Sequence, residues 1–298
     1  MGPRVVILAG GSGKRLASLT RALYGTDRPK QFAILEGDRS LLQTTIERAL
    51  DLTCASRVSV IVSASHETLA RPQLAPYGDV ELVVQPRSLD TGPGMMMPLV
   101  RIVAREPEAR VVFLPSDHHV DDPAPLLHAL HDCEQLERVA LVGVTATAPE
   151  TEYGWIVTGD PVPGTSAYEV RAFHEKPSRD DAETLWRAGG LWNTFITTGP
   201  ARRLWDLASE HLPAHATWLD AYAHAIGSPH EARMLERAYA EMTRASFSHD
   251  VLEQSTGLAV IPVAGTGWSD WGSPQRVFES LTGTQRHSAL VERLHASN

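Results

Sequence analysis

The stretch Val5-Val6-Ile7-Leu8-Ala9-Gly10-Gly11-Ser12-Gly13-Lys14-Arg15-Leu16 decides the fold. Its first four residues are apolar and mostly β-branched, the pattern of a buried strand. They run straight into three glycines, Gly10, Gly11 and Gly13, followed by Lys14 and Arg15. Glycine lets the backbone turn its N–H groups toward an anion without interference from a Cβ, and the two cations add charge beside that nest. A strand opening into such a loop suits phosphate binding; a plain glycine turn at a strand end is the bland alternative. Two better-known phosphate loops are excluded by spacing. A Walker A loop needs a glycine five residues before Gly13 and a Ser or Thr after the lysine, where this chain has Leu8 and Arg15. A dinucleotide fingerprint needs glycine three residues after Gly13, where this chain has Leu16.

Outward from that loop, the composition is that of an ordinary globular protein. The chain has 298 residues, 43% hydrophobic and 21% charged, enough for one large α/β domain with a full core. A net charge of −9 argues against a nucleic-acid partner, so any bound anion must be captured by a local cluster. The two cysteines, Cys54 and Cys133, have no metal-type spacing and imply a reducing, cytoplasmic setting. The first apolar run is too short for a leader peptide, and no apolar stretch is long enough to span a membrane.

Short β-branched runs at 58–62, 80–84, 111–114 and 139–144 alternate with helical patterns at 41–50, 66–74, 95–104 and 125–136. Ser40 is the expected N-cap of the first helix. The alternation predicts a mostly parallel sheet with helices on both faces, and such sheets bind ligands at the carboxyl ends of their strands. The glycine loop, Gln85 and Ser116-Asp117 all fall at such ends. Further on, 168–174, 191–197 and 257–263 read as strands and 200–210, 218–226 and 231–243 as helices. Residues 161–166 read as a loop. With no clean linker, two lobes sharing a cleft are expected: about 1–150 for a nucleotide, about 151–282 for its co-substrate, and a terminal helix over about 283–298.

Several segments carry chemistry. Arg28-Pro29-Lys30-Gln31-Phe32 presents Lys30 from a stiff turn, which with Arg15 could clamp a polyphosphate or could be a solvated basic loop. Asp117 in Leu114-Pro115-Ser116-Asp117-His118-His119 sits where it could hold a hard cation. Its histidine neighbours point apart and lack the spacing of a zinc site. Asp270, in Gly267-Trp268-Ser269-Asp270-Trp271-Gly272, could supply a second carboxylate or could simply close an Asx turn. Glu175-Lys176-Pro177 offers a sugar acceptor and a phosphate cation, or a surface ion pair. Asn193, beside Trp192 in an apolar run, needs polar partners. His211 and His215 have helical spacing, but Pro213 between them favours a surface turn.

In this order the segments resemble the sugar-phosphate nucleotidyltransferase family, and within it the mannose-1-phosphate guanylyltransferase branch, over about residues 4–280. The family's G-x-G-x-R-L resembles Gly11 to Leu16, its P-K-Q-F Pro29 to Phe32, and its L-L-Q-x-T Leu41 to Thr45. Its P-S-D-H resembles Pro115 to His118, its E-K-P Glu175 to Pro177, and its G-W-S-D-V-G Gly267 to Gly272. The resemblance implies a Rossmann-like, glycosyltransferase-A-like α/β fold with a smaller sugar-binding lobe. It implies a nucleotide site at Leu8, Ala9, Gly10, Gly11, Ser12, Gly13, Lys14, Gln85 and Asp117. It implies triphosphate neutralisation by Arg15 and Lys30, and Mg²⁺ held by Asp117 and Asp270. Lys176 would bind the sugar 1-phosphate, with Gly154, Glu175 and Asn193 around the ring. The implied partners are a nucleoside triphosphate (GTP favoured) and a sugar 1-phosphate (mannose 1-phosphate favoured), with self-association in a homodimer. The long carboxyl-terminal extension of bifunctional relatives has no counterpart, so no isomerase activity is implied. The chain departs from the family pattern at Lys14, at 90–97 with its glycines and Met run, at Glu152, and at Thr194-Phe195, where the pattern has Ser-Gly.

Overall fold

The computed structural model describes residues 2–296. In chain order the elements are β1 (Arg4–Leu8), α1 (Ala17–Tyr24), α2 (Leu41–Leu50), β2 (Val58–Ser63), α3 (Glu67–Leu74), β3 (Glu81–Gln85), α4 (Thr91–Arg105), β4 (Arg110–Pro115), α5 (Ala124–Asp132) and β5 (Ala140–Thr145). There follow β6 (Gly154–Pro161), β7 (Tyr168–Glu175), α6 (Arg179–Arg187), β8 (Leu191–Pro200), α7 (Ala201–His211), α8 (Pro213–Ala223), α9 (Glu231–Glu241), β9 (Ala259–Val263), α10 (Pro274–Leu281) and α11 (Gln285–Ala296).

Among the described residues the strands form one sheet in the order β3-β2-β1-β4-β8-β5-β9-β7-β6. The first four are parallel, as the alternation predicts. Beyond β4 the parallel pattern gives way: β8 runs antiparallel to both β4 and β5, β6 and β7 pair antiparallel, and only β5–β9 is parallel. Because β8 inserts between β4 and β5, the second half of the chain completes the sheet of the first.

Alternation along each strand divides the core in two. Val6, Ile61, Val111 and Phe113 pack with α4, α7, α8 and α9 on one face. Val5, Ile7, Val60, Val112 and Leu114 pack with α2, α3 and α5 on the other. Helices therefore cover both faces. A third cluster joins α1 to α10 and α11 through Leu16, Leu19, Trp271, Val277 and Leu290.

Local chemistry explains most boundaries. Ser40 caps α2 in a reciprocal box with Gln43, each side chain bonded to the other's backbone N–H at 3.1 Å. Helix α4 starts at Thr91, four residues before the expected 95, because Asp90 caps it and Gly92 lets it lie against Ala245. A Cβ on Gly92 would meet the Ala245 carbonyl at 2.9 Å. The Met95-Met96-Met97 run is fully buried core. The reading of His211 and His215 as a surface turn is overturned. Pro213 opens α8 at its first position, where a missing N–H costs nothing. His215 is buried inside that helix, with its Nε2 3.0 Å from the Thr243 carbonyl.

Candidate active site

The order β3-β2-β1-β4 reverses at β1, where β2 and β3 lie to one side and β4 to the other. The loops leaving β1 and β4 diverge there and leave a crevice. Ser116 ties the two strand ends together, its N–H and hydroxyl donating to the Leu8 carbonyl at 3.1 and 2.8 Å.

The glycine loop is held by a neighbouring side chain. The Gln31 amide, also on the crevice lining, donates to the carbonyls of Ala9 (3.0 Å) and Gly11 (2.7 Å). Gly13 has φ +61°, and a Cβ there would lie 2.6 Å from both Pro29 Cα and Lys30 N. The Pro29–Phe32 segment thus packs directly under the loop, which only glycine permits. Gln31 carries no assigned role in the sequence reading; its signal was an amide inside an otherwise basic and apolar segment.

Lys30 is the deepest charge of the site, 2% exposed. Its Nζ lies 3.2 Å from Asp117 Oδ2 and donates to the Asp270 carbonyl. Burial, the largest influence, works against the ionised Asp117, but Lys30 and His118 together hold the carboxyl below its usual range. Asp270 is 5% exposed and likewise depressed: burial opposes ionisation, and Lys30, Arg15 and Arg276 overcome it. Its Oδ1 accepts from the Tyr153 hydroxyl (2.9 Å), Gly272 N (2.8 Å) and Arg276 (3.0 Å), while Arg15 lies 3.2 Å from Oδ2. Tyr153 and Arg276 are functional neighbours that the sequence reading left without roles. Arg276 sits in a helix with no motif, and the Tyr153–Asp270 contact joins residues 117 positions apart.

The two aspartates offer carboxylate oxygens, the donor type that a hard divalent cation takes. The negative field of Asp270 acts on Asp117 directly. Burial pushes the His118 pKa down to about 4, and its Nδ1 accepts from Trp268 Nε1 at 3.3 Å. His119 turns the other way, stacked on Trp271 with ring centroids 4.5 Å apart. Among the described residues no cluster of three His, Cys, Asp or Glu side chains could hold a metal.

The crevice encloses about 540 Å³. Of the residues expected at the nucleotide, Leu8, Gly10, Gly11, Ser12, Lys14, Gln85 and Asp117 line it, and Ala9 and Gly13 do not. Arg15 is half-exposed beside the carboxylates, outside that lining.

The residues expected at the sugar form a separate corner. A Cβ on Gly154 would stand 2.9 Å from Glu175 Oε2 and 3.3 Å from Asn193 Cβ, so β6, β7 and β8 converge there. Burial raises the Glu175 carboxyl above its usual range, with neighbouring Glu253 adding to it. Lys176 is largely exposed, with its Nζ 3.8 Å from Glu175 and φ +48°. Asn193 Oδ1 accepts from the Phe195 N–H at 3.0 Å. Phe195 has φ +62° and lines the crevice beside the nucleotide loop. Tyr153 connects the two corners: its carbonyl accepts from Lys176 N (3.2 Å) and its hydroxyl reaches Asp270.

Comparison with known proteins gives the family. The family model for nucleotidyl transferases matches residues 4–286. Mannose-1-phosphate guanylyltransferase of Escherichia coli K12 is 29% identical over 289 residues, covering 92% of this chain and 59% of that protein. Xanthan biosynthesis protein XanB of Xanthomonas campestris is 30% identical over 278 residues, covering 90% and 57%. The chain thus spans about six-tenths of the length of these curated relatives. The crystal structure of mannose-1-phosphate geranyltransferase from Thermus thermophilus superposes with a TM-score of 0.82 at 28% identity, covering 95% of this chain and 80% of that one.

Proposed function

The chain belongs to the nucleotidyl transferase family, and we propose that it moves a nucleotidyl group from a nucleoside triphosphate, GTP by preference, to a hexose 1-phosphate, mannose 1-phosphate by preference. The carrying observation is that the glycine loop, Gln85 and Asp117 line one crevice at the switch point of the sheet, with the buried Lys30 ammonium 3.2 Å from Asp117. The relatives named for mannose 1-phosphate support the choice of sugar.

In the reaction a sugar 1-phosphate oxygen attacks the α-phosphorus in line. A new P–O bond forms, the bond from the α-phosphorus to its bridging oxygen breaks, and pyrophosphate leaves with that electron pair. The attacking oxygen is already ionised, so no strong general base is needed. The barrier is the approach of two anions, lowered by positioning and charge neutralisation. The loop N–H groups of Gly10 to Ser12 would cradle the phosphates. Lys30, fixed by Asp117 and the Asp270 carbonyl, places a buried cation beneath them. Arg15 would exchange its Asp270 partner for the triphosphate. A Mg²⁺ held by Asp117 and Asp270 would neutralise further phosphate charge. Lys176 and the Glu175–Asn193 corner would seat the sugar phosphate, across the shared residue Tyr153.

The test is pyrophosphate release with Mg²⁺ across every pairing of four nucleoside triphosphates with a panel of hexose 1-phosphates. Release demanding GTP and mannose 1-phosphate supports the full reading. Release with another pair keeps the reaction and discards the substrates. No release from any pair, with a nucleotide sugar bound tightly, turns the reading toward a non-catalytic sensor.

A further inference from the structure

Gln85 ends β3 nearly fully buried, yet it is one of the residues facing the crevice. A glutamine side chain offers an acceptor and a donor at almost the same place, so what it reads depends on which way the amide is turned. Here a residue of the distant helix α9 turns it. The Tyr239 hydroxyl lies 2.9 Å from Gln85 Oε1, and its next acceptor, the Pro93 carbonyl, is 3.4 Å away. Tyr239 is 1% exposed, and burial drives its phenol pKa up, so the oxygen keeps its proton and donates it. Arg87 in turn donates to the Tyr239 carbonyl, tying α9 to the segment that follows β3.

With Oε1 taken, Nε2 is left to the ligand. It sits over the phosphate loop: a Cβ on Gly10 would come 3.0 Å from it. We infer that Tyr239 is a positioning residue for base selection, holding Gln85 so that it presents an N–H donor to the crevice and accepts bases carrying a keto oxygen over those carrying an exocyclic amino group. Guanine and uracil present a carbonyl acceptor where adenine and cytosine present an amino donor. An N–H facing an N–H leaves two buried donors unpaired, which is where hydrogen-bonded sites gain their selectivity. This rests on the nucleotide reading of the crevice given above, and it concerns binding alone, so it stands or falls separately from turnover.

The experiment is calorimetric binding of GTP, ATP, UTP and CTP to the full chain, in parallel with pyrophosphate release. The proteins are the wild type, Tyr239→Phe and Gln85→Glu. The wild type is expected to bind GTP at least about tenfold tighter than ATP, with UTP likewise over CTP. Tyr239→Phe keeps the ring and drops the hydroxyl; the GTP-to-ATP ratio should collapse toward unity with GTP weakened about tenfold. A merely structural role would weaken both nucleotides alike and leave their ratio intact, and that result overturns the inference. So does a wild type with no keto preference. In Gln85→Glu, Tyr239 still donates to one oxygen and the other is an acceptor, so the preference should invert toward ATP. If Tyr239→Phe fails to fold, that inversion decides whether Gln85 presents an N–H: its occurrence supports the donor reading on which the role of Tyr239 depends, and a retained GTP preference overturns the inference. Absence of pyrophosphate release alongside an intact keto preference removes the proposed reaction and leaves this inference standing.

Discussion

The two walls of the site are built on opposite principles. On the nucleotide wall the backbone turns where glycine allows it, and buried side chains lock the turn: Gly13 takes the left-handed conformation, Gln31 bonds two loop carbonyls, and Lys30 fills the space beneath. On the sugar wall the same backbone conformation is forced on residues with full side chains, Lys176 and Phe195. The other non-glycine residues with positive φ among those described are Asp90, on the rim of the crevice, and Trp271, which follows Asp270. Left-handed backbone costs an L-residue about 1–2 kcal/mol, and here all of it falls at the site. The wall proposed for the nucleotide is therefore a backbone cradle locked by buried side chains, and base selection on it falls to the Gln85 side chain. On the wall proposed for the sugar, the strain falls on residues that keep full side chains.

The largest expected effect separates the walls by kinetics. Asp117→Asn keeps the shape and removes the charge. It should lower kcat by at least about a hundredfold, as loss of a charge-stabilising group at a phosphoryl-transfer centre does. Lys176→Ala should instead raise the KM for sugar phosphate about tenfold and leave the KM for the nucleotide near its wild-type value. Steady-state kinetics with circular dichroism as a folding control tests both. An unchanged kcat in Asp117→Asn would sink the cation site, and a nucleotide-specific defect in Lys176→Ala would dissolve the division into walls.

Next in size is a pair of substitutions within the cradle. Gly13→Ala meets backbone at 2.6 Å and requires φ +61°, so it should cost about 3 kcal/mol, the sum of left-handed strain and overpacking. Gly11→Ala meets nothing within 4 Å and should change stability by no more than about 0.5 kcal/mol. Its methyl would still stand on the crevice lining and should raise the KM for nucleotide. Denaturant midpoints that ranked the two equally would contradict the account of the loop.

How far these features are legible in the sequence follows from how local they are. The turn after β1, the strand ends at Gln85 and Ser116-Asp117 and the N-cap at Ser40 each depend on a few consecutive residues, and the structure places them where the sequence does. The antiparallel insertion of β8 does not, because pairing partners such as Phe113 and Thr197 are set by long-range packing. Arg276 and Tyr153 converge on Asp270 from separate elements that no spacing links. Pro213 misled because proline breaks a helix interior but opens a helix start. Phe195 lay between these extremes: a phenylalanine where the resembling family has glycine was the visible trace of its positive φ, and the direction of its ring was not.

That trace gives a test of the sugar wall. At φ +62° Gly should be favoured over Ala by about 1 kcal/mol, the reverse of the usual order in a strand. Phe195→Gly should therefore be the more stable of the pair Phe195→Gly and Phe195→Ala, while both lose whatever the ring contributes to ligand selection. Equal stability of the two variants would mean that the conformation is not enforced by its surroundings.

The smallest effect distinguishes the walls by the sign of their response to acid. His66 packs edge-on against Phe32 beneath the cradle, and burial lowers its pKa. The unfolded chain then takes up the proton first as pH falls through the normal histidine range, so this group loses stability on acidification. Glu175 on the sugar wall is raised by burial, so the folded state takes up its proton before the unfolded one does. The cost of its charge, present at neutral pH, is relieved as pH falls through the raised value toward that of a free carboxyl. Glu175→Gln should accordingly stabilise the protein at pH 7 and lose that advantage near pH 4. His66→Phe should do nothing for the fold's pH response above pH 7 and should flatten the loss of stability between pH 7 and pH 5. Denaturant titrations of the two variants at these pH values check both signs. A Glu175→Gln advantage that grew on acidification would place an ionised, favourably paired Glu175 in the folded state, and the sugar wall would then be held by its charges in the same way as the cradle.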